Sequence, residues 1–247
     1  NVLRSARQSS MYLATELVKR GEVQAMVSAG NTGALLMIGR HLLKTITGIQ
    51  KPAIVATIPG ATRQGYLLDV GANPECSAQQ LFEFAVMGSV LAESLNGTGT
   101  SVGLLNIGAE HHKGTEEVRQ ASKLMKECSD LNYIGFVEAN ELFEGVADVA
   151  VCDGFVGNVT IKSSAGVANV VNKFLAEQLL GISSDTAAND ALTRLAAQIN
   201  PQRLNGASLL GLQGSIVKSH GNTTVEGFAY AIQQAVREVE NAVPQLI

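Results

Sequence analysis

Lys113 stands in the run Gly108-Ala109-Glu110-His111-His112-Lys113-Gly114, directly after the apolar stretch 102–107. A cation bracketed by glycines at a strand end can reach an anion, through charge-assisted hydrogen bonds of roughly 1.5–3 kcal/mol each. Four other segments share this build, an apolar run that stops at a short loop of Gly and Asn. They are AMVSAGNTG (25–33), YLLDVGAN (66–73), VAVCDGFVGN (149–158) and SIVKSHGN (215–222). Glycine there lets backbone N–H groups approach a ligand, and the start of a following helix adds partial positive charge. One helix end contributes only about 0.3–1 kcal/mol to an anion, so several loops and a lysine must converge to hold phosphate. The candidates are Ser28, Gly30, Asn31, Thr32 and Gly33 in the first loop, Asp69 and Asn73 in the next, and Asp153, Gly154 and Gly157 in the segment at 149–158. Asn158 opens a long helical pattern, and its amide can donate to a carbonyl or phosphate oxygen or cap the helix. For Asp69 and Asp153, binding a ligand, orienting Lys113 and capping the next turn all stay open.

Several other chemistries find no support. No G-x-x-x-x-G-K-[ST] loop, G-x-S-x-G elbow or helix-opening G-x-G-x-x-G occurs, which weakens nucleotide binding and serine hydrolysis. His111 and His112 are neighbours without a ligand-spaced partner, so no metal is expected. Cys76, Cys128 and Cys152 are odd in number and lack C-x-x-C spacing; they read as small buried hydrophobes in a reducing, cytoplasmic setting. A net charge of −4 argues against general nucleic-acid binding, which needs concentrated basic surface. No apolar stretch approaches the ~18 residues of a membrane span, and no signal peptide is evident.

The elements that must position these loops alternate. Helical patterns cover 5–20, 32–46, 77–95 with Ser77 as N-cap, 115–128, 158–180 and 224–242, while β-like runs fall at 25–28, 53–57, 66–70, 102–107, 132–137, 148–152 and 215–219. This rhythm predicts a three-layer α/β/α sandwich on a mostly parallel sheet, with the Gly/Asn loops gathered at one sheet edge. Residues 1–247 read as a single α/β domain, with 182–206 a helical excursion serving as dimer arm, partner contact or membrane contact. Lys173, Arg194 and Arg203 are candidate contacts to an acidic partner, and Leu192, Leu195, Ile199 and Leu204 a candidate apolar stripe.

Taken together, RQSSM (7–11), SAGNTGALL (28–36), KPAI (51–54), LLDVGAN (67–73), MGSV (87–90), VGLLNIGAEHHKG (102–114), DVAVCDGFVGNVTIK (148–162) and NGASLLGL (205–212) resemble the bacterial phosphate acyltransferase (PlsX) family. The resemblance implies a fold like that of phosphotransacetylases and isocitrate dehydrogenases, usually dimeric. It implies transfer of a fatty acyl group from acylated acyl carrier protein to inorganic phosphate for phospholipid synthesis, without a cofactor. On the family's pattern Lys113 and Asn158 match catalytic positions, and the SAGNTG loop with Asp69 and Asn73 matches pocket positions. The family opens with a strand carrying DAMGGD, a segment this chain is expected to lack. Ala165 stands where a family Glu is expected, and Lys51 where Arg is commoner. The chemistry agrees: phosphate is already an anionic nucleophile, and a thiolate with a free pKa of about 8.5 needs little acid assistance on leaving. A phosphotransacetylase acting on coenzyme A thioesters, a non-catalytic scaffold binding the carrier protein or acyl phosphate, and a dehydrogenase are the rival expectations.

Overall fold

The computed structural model describes residues 7–60, 64–97, 99–181, 194 and 201–247. Among them, eight strands form one mixed sheet flanked by seven helices. The strands are β1 (Ala25–Ser28), β2 (Ala53–Ile58), β3 (Gly65–Leu68), β4 (Val102–Leu105), β5 (Tyr133–Val137), β6 (Val149–Val151), β7 (Ala207–Leu210) and β8 (Ser215–Lys218). They lie in the order β1-β8-β7-β2-β3-β6-β4-β5. The helices are α1 (Ser10–Lys19), α2 (Thr32–Leu42), α3 (Ala78–Asn96), α4 (Glu116–Glu127), α5 (Gly154–Gly181), α6 (Val225–Glu240) and the short α7 (Val243–Leu246).

Local chemistry sets where helices begin. Ser77 caps α3 in a reciprocal box: its Oγ accepts from the Gln80 N–H at 3.3 Å, and Gln80 Oε1 accepts from the Ser77 N–H at 3.2 Å. Ser9, Asn31, Thr115 and Thr224 cap α1, α2, α4 and α6 one way, each side-chain oxygen accepting a backbone N–H of the first turn, a cap contributing about 1 kcal/mol.

The strands read as continuous apolar runs because both sheet faces are covered. Tyr66 and Leu68, Val102 and Leu104, and Val149 and Val151 point toward a core built with Leu81, Phe84, Met87 and Leu91 of α3. The alternate residues Leu67, Leu105 and Ala150 join a second core with Leu35 of α2, Val18 of α1 and Ile216 of β8. Successive side chains of a strand point to opposite faces, which is the three-layer arrangement expected.

Strand direction is mixed, with parallel pairings in the majority as expected. The pairs β1–β8, β3–β6, β4–β6 and β4–β5 are parallel, but β2–β3, β2–β7 and β7–β8 are antiparallel. The stretch 53–68 is a β-hairpin, and 207–218 a second antiparallel pair. Three reversals, at β2–β3, β2–β7 and β7–β8, place β1 and β8 opposite in direction to β3, β6 and β4. The loops after β3, β4 and β6 therefore share one rim of the sheet, while those after β1 and β8 lie on the other. The single rim expected for all five Gly/Asn loops is corrected to two. Of the expected excursion, 182–193 and 195–200 lie outside the described residues; Pro201–Leu204 is a 3₁₀ turn leading into β7. Among the described residues no helix is long and apolar enough to cross a membrane.

Candidate active site

Asp69, the first residue beyond β3, is fully buried. Its Oδ1 accepts from the N–H groups of Ile54 (3.0 Å), Gly71 (3.1 Å) and Ala72 (3.0 Å), and its Oδ2 from the Asn73 N–H (2.7 Å) and Asn73 Nδ2 (2.9 Å). Burial raises this carboxyl above its ordinary pKa, against the pull of the hydrogen bonds from Ala72, Ile54 and Asn73. Asn73 Nδ2 also donates to the Pro52 carbonyl at 2.9 Å. Both side chains are engaged by the chain itself, so they act as a lock that shapes loop 69–73. What this loop can present to a ligand is backbone.

Helix α5 starts against that lock. The Gly154 N–H donates to the Asn73 carbonyl at 2.7 Å. A Cβ on Gly154 would lie 2.7 Å from the same carbonyl oxygen and 2.9 Å from Asp69 Oδ2, and one on Gly157 would overlap the Asp69 carbonyl oxygen. These two glycines, one turn apart, allow the helix to seat on the loop. Asn158, the next residue, donates from Nδ2 to the Val70 carbonyl at 3.0 Å, and Gly71 lies under its amide. Asp153 caps the helix: its Oδ1 accepts from the Val156 N–H at 2.8 Å. Thus Asp69, Asn73, Asp153, Gly154, Gly157 and Asn158 are brought together, as spacing alone could not have established.

Lys113 belongs to the same rim, on the loop after β4, which neighbours β6. Its aliphatic stem lies over Gly108, and its Nζ pairs with Glu110 Oε2 at 2.8 Å. Hydrogen bonding to Glu110 raises the lysine pKa, so the group is a cation throughout the neutral range. Asn106 ties the loop closed, its Nδ2 donating to the Lys113 carbonyl at 3.2 Å. Arg119 Nη1 donates to the Gly114 carbonyl at 2.6 Å.

Ser28, Gly30, Asn31, Thr32 and Gly33 lie on the opposite rim. Ser28 Oγ accepts from the Gly30 N–H at 3.1 Å, and Asn31 Oδ1 caps α2 through the Ala34 N–H at 3.0 Å. Their neighbours are β8 residues: Ser28 is in register with Lys218, and the Ser219 N–H donates to the Ser28 carbonyl at 2.9 Å. His220 there titrates below its ordinary pKa through burial and the charges of Lys218 and Lys162. This is a second cationic rim, separate from Lys113.

Lys51, named from the sequence only as a departure from the family's commoner Arg and given no role there, stands out. It lies two residues before β2, which begins on the Asp69 rim, and its charge acts on the Cys76 thiol there. A basic residue just before an apolar strand was the available signal. Cys76 itself is pushed up to about 12 by burial and by the Asp69 and Asp153 carboxylates, with Lys51 pulling the other way. Cys152 is fully enclosed and likewise raised by burial first, then by Asp153 and Asp69. Neither thiol is available as a thiolate nucleophile near neutral pH. Among the described residues no three His, Cys, Asp or Glu groups gather as a metal site.

The mixed eight-stranded sheet with helices on both faces is the fold of the phosphotransacetylases. A phosphotransacetylase from Streptococcus pyogenes superposes with a TM-score of 0.65 over 93% of this chain and 67% of its own, at 17% identity. The EutD phosphotransacetylase from Staphylococcus aureus gives 0.59 over 96% and 67%, at 20% identity. The chain belongs to the Fatty acid synthesis protein family, whose model matches residues 1–246. It is 50% identical to a phosphate acyltransferase of Pseudomonas syringae pv. tomato, covering 98% of this chain and 73% of that protein. A phosphate acyltransferase of Alkalilimnicola ehrlichii is 48% identical over 99% and 73%.

Proposed function

We propose that the chain transfers a fatty acyl group from the thioester of acyl carrier protein to inorganic phosphate, releasing the carrier thiol and giving acyl phosphate for phospholipid synthesis. Half identity to phosphate acyltransferases across nearly the whole chain supports the reaction class. The observation that carries the chemistry is a rim with fixed cations and no activated nucleophile of its own. Lys113 and Lys51 supply positive charge, while Cys76 and Cys152 are held as thiols. Phosphate is then the attacking group. One of its oxygens bonds to the thioester carbonyl carbon, the carbonyl electrons move to oxygen, and the tetrahedral intermediate collapses by breaking the C–S bond. The thiolate leaves and takes its proton from solvent.

In this reading Lys113 exchanges its partner Glu110 for phosphate or the developing oxyanion, and the Asn158 amide donates at the same centre. Electrostatic stabilisation of this kind is commonly the largest catalytic contribution, removal of one donor lowering kcat about 10²–10³-fold. No cofactor enters. We further propose a homodimer built on α5. Phe155, Val159, Val167, Val170 and Phe174 form an exposed apolar stripe along that helix, with Phe155, Val167 and Phe174 each more than 60% exposed. A stripe of this size is uncommon on a monomer's surface, and a second copy is its natural cover. We propose further that the reaction takes place in the cytoplasm, a reducing setting in keeping with the three free cysteines.

The test is phosphate-dependent release of free thiol from acyl carrier protein charged with a fatty acid. Lys113→Ala is expected to lower turnover by about 10²-fold or more while leaving the unfolding transition in place; near-normal turnover removes Lys113 from the chemistry. The phosphotransacetylase fold favours a second reading, with coenzyme A as the acyl donor. Preference for acyl-coenzyme A over the carrier thioester would establish that reading instead.

A further inference from the structure

On the outer side of the Lys113 loop, α4 and β5 enclose a surface cavity of about 310 Å³ whose lining includes His111, Glu116, Arg119, Lys123, Lys126 and Phe136. Residues 116, 119, 123 and 126 recur at helical spacing, so their side chains share one face of α4. Three of the four are cations. Glu116 pairs with Arg119 at 2.6 Å and also feels the charge of Lys123, and both Lys123 and Lys126 are exposed. The whole chain carries a net charge of −4, so this stripe opposes the general field of the molecule. Phe136 adds an apolar floor, and Ser122, turned inward, is held by the Tyr133 hydroxyl at 2.9 Å.

From this geometry we infer that the α4 face with Arg119, Lys123 and Lys126 is the docking surface for the acidic carrier protein that delivers the acyl thioester. The inference rests on the proposed function and deepens it. Charge complementarity selects the occupant: a helix rich in carboxylates lies along a stripe with three cations on a chain whose net charge is −4. Continuity with the site selects the place. The loop that leaves the cavity at His111 reaches Lys113 two residues later and is pinned to α4 by Arg119, which donates to the Gly114 carbonyl at 2.6 Å and to the His112 carbonyl at 3.4 Å. A carrier seated on α4 thus lies beside the rim at which its thioester must react.

The experiment compares two substrates with the same acyl chain, one on acyl carrier protein and one on uncharged pantetheine. Lys123→Glu combined with Lys126→Glu is expected to raise the KM for the carrier substrate by about tenfold or more, with kcat within about twofold, because rim charges act mainly on encounter. Raising salt from low to about 0.15 M is expected to weaken wild-type use of the carrier steeply and to leave the variant nearly flat. Turnover of acyl-pantetheine and the KM for phosphate are expected to stay unchanged. An unchanged carrier KM overturns the docking surface, and so does equal damage to both substrates. Lys123→Ala with Lys126→Ala repeats the test without introduced acid. If the wild-type chain releases thiol from neither substrate, the reaction itself is disproved. Calorimetric titration with the carrier protein then decides the surface: binding lost on charge reversal upholds it, and unchanged binding overturns it.

Discussion

Replacing Asp69 by Asn tests whether the site is shaped by one buried carboxylate. The asparagine has a single acceptor oxygen. If that oxygen faces the N–H groups of Ile54, Gly71 and Ala72, the new amide NH₂ faces the Asn73 N–H and Asn73 Nδ2, so donors meet donors. Two buried groups lose their partners, at about 1–3 kcal/mol each. The neutral amide escapes the burial penalty that raises the Asp69 pKa, which offsets part of the loss. The net expectation is a destabilisation of about 2–4 kcal/mol. Urea unfolding followed by circular dichroism measures it: with a slope of roughly 2–3 kcal/mol/M, the midpoint falls by about 1–2 M at unchanged slope. Turnover is expected to fall as well, since Asn158 and Gly154 bond to the loop that Asp69 holds. A loss below about 0.5 kcal/mol refutes the lock, because surface substitutions typically cost that little.

Three other expectations follow from buried contacts and one exposed face. Gly157→Ala places a methyl group against the Asp69 carbonyl and is expected to cost about 1–3 kcal/mol in thermal or chemical unfolding; an unchanged melting temperature contradicts the close seating of α5. Glu238 is 2% exposed, accepts from Ser208 Oγ and from Gln234 Nε2, and has its pKa raised by burial from 4.5 to about 7. The folded state therefore holds this proton more tightly than the unfolded state, so stability falls as pH rises from 4.5 to about 7, by about 3 kcal/mol in all, and is level above. Glu238→Gln is expected to remove that slope in denaturation curves taken from pH 5 to pH 8; parallel curves for the two proteins rule it out. Val167→Asp, on the exposed α5 stripe, is expected to shift the protein from dimer to monomer in sedimentation, and an intact dimer excludes that face.

Much of the fold was readable because its signals are local. Ser77 with Gln80 marks the start of α3, and the β-rich runs at 66–68, 102–105 and 149–151 are too short and too apolar for anything but buried strands. Strand direction was not readable. Val55 pairs with Leu68 in an antiparallel hairpin, yet nothing in the composition of either run differs from that of a parallel strand. The same ambiguity hid β7, whose Ala-Ser-Leu-Leu stretch has neither length nor alternation to set it apart from a loop. The site followed suit. Lys113, Asp153 and Asn158 were singled out because Gly and Asn punctuate strand ends wherever those strands lie in the sheet. Sorting them onto two rims required pairings between residues far apart in the chain, as did recognising that Asp69 and Asn73 face each other.

Asp153 changes how the anion must be held. The start of a helix is ordinarily an invitation to phosphate, but here the chain's own carboxylate already sits on it and accepts the Val156 N–H. A second anion at that spot meets repulsion. Attraction is left to lysine side chains, whose contacts of roughly 1.5–3 kcal/mol each give a dissociation constant on the order of millimolar when two act together. An anion gripped this way exchanges quickly and is judged by its charge more than its shape. Sulfate, the same size with similar charge, should therefore compete directly with phosphate, and the working rate should follow the free phosphate supply of the surroundings.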